Sequence, residues 1–372
     1  MQQQNPFAIQ ELLDYSIGFL AGNMHDILVC SLVARSWVHP SQSILFRSPG
    51  KHIHDMSPSS STAEEARKRW LKLYRALISS PHLACLVREL FLGANRLDPQ
   101  TIELIARLPF TRLESLKLTL PSETESFGSL KALVALDTLR HLKLRRCQDI
   151  VDLMQHRSAP VRHCELVFQG DLRVFQPVDS MLRIVVVALE LDGDSDVAFR
   201  TRLDVASLLK PFDMSRLKAF RIKPDNRVTI SWKSMPKNAI EMLDIFIENG
   251  VTESLDLSNF PDLRYLRLDL GRWIPNISLS ALRSIAASQK IQTLVISLCY
   301  YPSDESLFLA LDSVLASLPV SEVEIEQRGL LDLTFSPFFP KLVERKLVSF
   351  VHQPFKSNET PSQRWRDLID TL

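Results

Sequence analysis

The residues of this chain best spaced for chemistry are charged side chains set singly between two apolar ones. Lys117 lies between Leu116 and Leu118, Lys143 between Leu142 and Leu144, Arg221 between Phe220 and Ile222, Arg267 between Leu266 and Leu268, and Glu324 between Val323 and Ile325. In an extended strand successive side chains point to opposite faces, so each charge stands away from its apolar neighbours. The chemistry this offers is ionic recognition, not bond making. Spacings that activate a nucleophile, hold zinc or cradle phosphate (G-x-S-x-G, H-E-x-x-H, G-x-G-x-x-G, G-x-x-x-x-G-K-[ST]) do not occur. His52, His54 and Asp55 have metal-ligand side chains but sit in a polar stretch without a fourth partner, and are read as solvated surface. No catalytic residue, cofactor or metal is expected.

The elements that must position these charges are copies of one short phrase, apolar-x-x-apolar-x-apolar. Counted from its middle apolar position, it recurs at Leu90, Leu116, Leu142, Cys164, Val185, Phe220, Leu243, Leu266, Leu294 and Val323, 21 to 29 residues apart except for one step of 35. Val87 to Leu97 fills every position of the pattern L-x-x-L-x-L-x-x-N/C-x-L, with Val87 as the one conservative change, the signature of a leucine-rich repeat. Between the copies, 101–108, 278–288 and 304–318 carry apolar residues at helical spacing. The prediction is therefore α/β: a solenoid whose strands stack into a curved parallel sheet with helices on the convex side. The long step after Val185 carries the acidic run Glu190 to Asp196, and its stretch from Leu191 to Leu217 reads as an insertion or a degenerate repeat.

The concave face of such a sheet would bind a partner. Its expected contact residues are Lys117, Lys143, Arg145, Val186, Arg221, Phe246, Arg267, Glu324 and Glu326. The early repeats are positive, the middle ones include apolar Val186, Ala188 and Phe246, and the last presents Glu322, Glu324 and Glu326. A complementary segment would be acidic at the first end, apolar midway and basic at the last.

Composition bounds the rest. With 44 Lys and Arg against 43 Asp and Glu, the net charge of +1 provides no field for nucleic acid or an anionic membrane. The five cysteines are scattered without C-x-x-C, as expected of buried thiols in a reducing compartment. Met1 to Pro6 has neither basic nor apolar secretion character, and the longest purely apolar run, Ile184 to Leu189, is too short to span a bilayer. The expected location is cytoplasmic or nuclear.

Residues 9–46 differ from the repeats and read as three helices, Gln10 to Leu20, His25 to Ser31 and Leu32 to Leu45, the last broken by Pro40, with Asn23 or Asp26 capping the second. Glu11-Leu12-Leu13-Asp14, Ile17, Leu20 and the run Ile27 to Trp37, with Ser31-Leu32-Val33-Ala34-Arg35-Ser36-Trp37 as its most specific part, closely resemble an F-box. Leu45-Phe46 falls where that motif ends, and Ala8-Ile9-Gln10-Glu11 replaces the family's usual Leu-Pro-x-Glu opening. The passage Ser79 to Leu83 followed by Val87 to Leu90 looks like the junction of F-box and repeats in many fungal F-box proteins.

The resemblance implies docking on a Skp-type adaptor and through it a cullin, with adaptor-binding residues Ile9, Leu12, Leu13, Ile17, Leu20, Ile27, Leu28, Leu32, Val33 and Trp37. The chain would then be the substrate receptor of a ubiquitin ligase whose catalysis is supplied by other subunits. The alternative is a non-catalytic leucine-rich scaffold whose helices only cap the first repeat. The implied organisation is an F-box-like module at 6–50, a linker and connecting helix at 51–85, repeats at 86–353 and a tail at 354–372. Arg364 to Ile369 in that tail fits either a capping helix or a segment folded over the concave face.

Overall fold

The computed structural model describes residues 10–48, 68, 71–72, 74–93, 99–119, 128–145, 161–168, 184–193, 203–204, 212–223, 228–229, 239–246, 255–270, 275–285, 289–298, 305–328, 336–353 and 369. Two compact units, 1–159 and 160–372, divide the chain. Each is α/β with strands in parallel register.

In the first unit, helices α1 (Gln10–Gly18), α2 (Met24–Val33) and α3 (Arg35–Leu45) precede the strands, and a 3-10 turn, Phe19–Gly22, prolongs α1. Asn23 caps α2, its side-chain oxygen accepting from the amides of His25 and Asp26. Leu13, Ile17, Ile27 and Cys30 are buried at helical spacing. The break between the second and third helices falls at extended Ala34, not between Ser31 and Leu32, because the apolar spacing of α2 runs on through Leu32-Val33. Pro40 does not end α3 either; it lies buried within it. The packing of its ring offsets the backbone hydrogen bond a proline cannot donate.

Strands β1 (Glu89–Gly93), β2 (Ser115–Thr119) and β3 (His141–Arg145) follow, with helices α4 (Pro99–Ala106) and α5 (Gly128–Val134) in the connections. Leu90 stands beside Leu116 and Leu116 beside Leu142, two residues before the matching row Leu92, Leu118 and Leu144. The carbonyl of Arg88 accepts the amides of both Glu114 and Ser115, and that of Glu114 accepts Arg140 and His141. The carbonyl of Arg47, just beyond α3, takes Arg88 and Glu89 in the same way. The helical module thus occupies the place of a preceding copy. Tyr74 donates its phenol to the Phe91 carbonyl, and full burial raises its pKa well above the ordinary tyrosine value.

The second unit holds β4 (Val161–Phe168), β5 (Ile184–Gly193), the short β6 (Leu203–Asp204) and β7 (Phe212–Asp213), β8 (Ala219–Lys223), short β9 (Val228–Thr229), β10 (Met242–Phe246), β11 (Tyr265–Leu270), β12 (Thr293–Leu298), β13 (Glu322–Arg328) and β14 (Val348–Gln353). The parallel order is β4-β5-β8-β10-β11-β12-β13-β14, with β7 also on β5, while β6 and β9 pair separately. Helices α6 (Pro275–Arg283), α7 (Glu305–Ser317) and α8 (Pro340–Glu344) lie between the later strands. Phe350 of β14, in register with Ile325, packs on Phe339, which packs edge-on to Phe308 of α7. The leucine-type row therefore faces the helices. Buried Asp312 of α7 accepts the amides of Lys341 and Leu342, each at 3.0 Å, and so caps α8.

One register differs from expectation. Cys164 stands beside Leu189, and Leu189 beside Phe220, so the phrase in β5 is Leu189-Glu190-Leu191 and not Val185-Val186-Val187. The steps become 25 and 31 residues. The first residue of the acidic run, Glu190, lies within the strand. Val348-Ser349-Phe350 adds one more copy beside Val323-Glu324-Ile325.

Candidate functional site

Because neighbouring strands lie only about 4.8 Å apart, residues at equal register on the face away from the helices form continuous rows. One row of the second unit is Glu165, Glu190, Arg221, Asp244, Arg267, Val295 and Glu324. Two residues further along, Phe246, Asp269, Ser297 and Glu326 form the next.

A ladder of alternating charge crosses these rows. The Glu190 carboxylate lies 2.8 Å from His163 Nε2 and 3.1 Å from Arg221 Nη1; Arg221 Nε lies 3.2 Å from Asp244, and Asp244 accepts from Arg267 Nη1 at 3.1 Å. A carboxylate only accepts, so Nε2 of His163 carries the proton. Arg267 then reaches over β12, where Val295 and Ser297 are short, and Nη2 meets Glu326 of β13 at 2.8 Å and Asp269 at 3.3 Å. Burial opposes the Arg267 charge, but Asp244, Asp269 and Glu326 more than offset it and hold its pKa well above the ordinary arginine range. His163, Glu165, Glu190, Asp244, Arg267, Asp269, Glu324 and Glu326 are all buried. Charge-assisted pairing is what makes such burial tolerable.

The preceding row runs from His163 of β4 to Thr293 of β12 and Glu322 of β13, and its middle is apolar. Ala188 of β5, Ala219 of β8, Met242 of β10 and Tyr265 of β11 stand at equal register. They close around Ile369, which is fully buried against them, and Arg162 Nη2 lies 3.4 Å from the Ile369 carbonyl oxygen. The small side chains of Ala188 and Ala219 stand side by side, with Met242 and then Tyr265 next in the row. Burying an isoleucine side chain contributes about 1.5–3 kcal/mol.

Among the expected contact residues, Arg221 and Phe246 are half-buried, and Arg267, Glu324 and Glu326 are buried rather than open, since opposite charges on adjacent strands neutralise each other before any partner arrives. Val186 is fully buried opposite Val161, four residues ahead of the place expected for it. Its place in the row is taken by Glu190. Met242, Tyr265 and Ala219 were not anticipated. Their signal, small residues at one register beside large apolar ones, is visible only once the strands are aligned. In the first unit, half-buried Lys117 places its ammonium 4.6 Å from the centre of the Phe91 ring, a cation–π contact, and half-buried Lys143 stands beside it in register. Arg145 closes β3.

The helical module has a second apolar face. Leu12, Tyr15 and Phe19 follow one another at helical spacing on the outside, as do Leu28, Val29, Leu32 and Val33, with Phe19 73% and Leu32 85% exposed. Tyr15 and Phe19 stack edge to face there, 4.7 Å apart. Of the residues expected at an adaptor, Leu12, Leu28, Leu32 and Val33 are on this outer face, Leu20 and Trp37 are half-buried, and Leu13, Ile17 and Ile27 are in the module's interior. Ile9 lies outside the described residues, as do His52, His54 and Asp55. Among the described residues no group of His, Cys, Asp and Glu could hold a metal ion, and no helix is long and apolar enough to cross a membrane.

Fold and faces thus define a parallel α/β protein with an unusually apolar helical surface and a buried charge ladder. No family model, curated protein or solved structure matches the chain.

Proposed function

We propose that this chain is a receptor subunit of a Skp-cullin-F-box ubiquitin ligase. In this reading residues 10–48 are an F-box, the strands belong to leucine-rich repeats forming a solenoid, and the face away from the helices holds a protein substrate. The observation that carries it is the outer stripe of Leu12, Tyr15, Phe19, Leu28, Val29, Leu32 and Val33. A module that already encloses Leu13, Ile17 and Ile27 gains nothing for its own core from a second apolar stripe. Exposed apolar surface of this kind marks a partner site. The chain would supply proximity between a substrate lysine and a ubiquitin-charged enzyme held elsewhere in the assembly.

The test is co-purification with a Skp-type adaptor, comparing wild type with Leu28→Ala/Leu32→Ala. Wild type forms a stoichiometric complex, and the double variant loses at least about tenfold in affinity, as truncation of two anchoring side chains should cause. No complex with wild type, or undiminished binding by the variant, would overturn the reading. The scaffold alternative draws support from the Arg47 carbonyl, which bonds the first strand as a preceding repeat would. It predicts that wild type and variant alike ignore the adaptor.

A further inference from the structure

We infer that Lys68, Lys72 and Arg75 form a docking stripe for an acidic segment of a protein partner. This surface is distinct from the outer apolar stripe of the helical module and from the sheet face, and the inference does not depend on the ligase reading.

Residues 68, 71–72 and 74–79 are helical. Tyr74 and Leu77 are fully buried, Leu71, Ala76 and Ile78 are half-buried, and Lys68, Lys72, Arg75 and Ser79 are exposed. Positions i, i+4, i+7 and i+11 lie along one side of a helix, so the three cations form a single stripe about 10 Å long. Its inner side is fixed, because the Tyr74 phenol donates to the Phe91 carbonyl of β1. The stripe is therefore presented at a set place in the first unit.

No side chain among the described residues pairs with Lys68, Lys72 or Arg75, whereas Arg88 is matched by Glu114 and Arg107 by Glu103. From Ala66 to Arg88 the chain has six Lys and Arg and no Asp or Glu, in a protein whose net charge is only +1. Like charges one turn apart repel each other. Carboxylates supplied by a partner relieve that repulsion.

The stripe also discriminates among anions. A helix that lies on a membrane buries an apolar side in the lipid, and here Tyr74 and Leu77 already close the apolar side inside the unit. Single-stranded nucleic acid is held by aromatic side chains on which bases stack, and the exposed positions carry only lysine, arginine and serine. The carboxylates of a protein segment need nothing beyond the cations, so charge complementarity selects that partner.

The probe is a fluorescent peptide of about ten glutamates, titrated by anisotropy at low ionic strength into the full chain as wild type, Lys68→Glu/Lys72→Glu and the control Arg112→Glu/Arg140→Glu, which reverses two other exposed cations of the same unit. Wild type and control bind alike, and the Lys68→Glu/Lys72→Glu chain binds at least about fivefold more weakly, since each reversal replaces an attraction by a repulsion. Binding by wild type weakens as salt is added. Thermal melting checks that the fold is kept; should the double reversal unfold the chain, Lys68→Gln/Lys72→Gln takes its place. No binding by wild type, undiminished binding by the variant or an equal loss in the control overturns the inference. So does tighter binding of oligothymidylate or of phosphatidylserine vesicles than of the peptide, or a dimer that the double reversal dissolves, since each assigns the stripe to a different occupant. Leu28 and Leu32 are untouched and no adaptor is present, so a failure here leaves the co-purification result standing.

Discussion

Arg267 of β11 and Glu326 of β13 are joined at 2.8 Å although the whole of β12 lies between them. The link exists because Val295 and Ser297, the β12 residues beneath it, are too short to intervene, and because the guanidinium has enough donors to engage Asp244 and Asp269 as well. The Ser297 hydroxyl, fully buried under this bridge, has no hydrogen-bond partner among the described residues. One side chain thus fastens three strands.

Replacing that side chain should therefore cost more than a surface salt bridge does. Arg267→Ala leaves three carboxylates buried around an empty site, and the expected loss is about 3–5 kcal/mol. Glu322→Ala, on an exposed position of the same sheet, should stay within about 0.5 kcal/mol. Urea denaturation of both variants makes the comparison. A loss below about 1 kcal/mol for Arg267→Ala would mean that the carboxylates do not depend on it.

Tyr74 makes stability fall at high pH. Its phenol is buried and its folded pKa is raised above the ordinary 10.0 by desolvation, the Phe91 carbonyl notwithstanding. The unfolded chain therefore releases this proton first. The stabilisation from the neutral phenol is fully present below pH 10.0 and is lost as pH rises toward the raised folded value. The slope is about 1.4 kcal/mol per pH unit. In Tyr74→Phe that slope disappears, at a cost of about 0.5–1.5 kcal/mol at neutral pH for the lost hydrogen bond. Unfolding measured near pH 8 and near pH 11 in both proteins tests the sign.

The two apolar faces of the helical module should respond differently to truncation. Leu13→Ala removes a buried side chain and is expected to cost about 2–5 kcal/mol. Leu32→Ala, at 85% exposure, should change stability by less than about 0.5 kcal/mol. Thermal melts distinguish them. A large loss for Leu32→Ala would place that residue in the core and remove the reason for reading its stripe as a partner site.

Most of the strand pattern was legible in the residues themselves. Val87, Leu90 and Leu92, then Leu113, Leu116 and Leu118, and again Leu263, Leu266 and Leu268, are all buried, as the repeating phrase requires. Alternation in a strand is a local property, so leucines two apart declare a buried face without help from distant residues. The helices between copies follow the same logic, since the spacing in 101–108 and 304–318 predicts Pro99–Ala106 and Glu305–Ser317 to within a few residues.

The phrase in β5 shows where local reading stops. Val185, Val187, Leu189 and Leu191 have the same parity, so four apolar residues offered several equivalent starts. Only pairing with Cys164 on one side and Phe220 on the other selects Leu189. The acidic Glu190 then becomes the link between His163 and Arg221 in the charge ladder instead of the start of an acidic run beside an insertion.

The sequence by itself determined which residues turn inward along each strand and which charges alternate with them, because both follow from backbone geometry over a few residues. Tertiary structure alone decided that those charges neutralise one another across β4 to β13, that the outer stripe of α1 and α2 remains uncovered, and that Ile369 closes on Ala188, Ala219, Met242 and Tyr265. These are relations between side chains far apart in the chain, and their energies depend on register and distance, quantities that come into being only when the strands align.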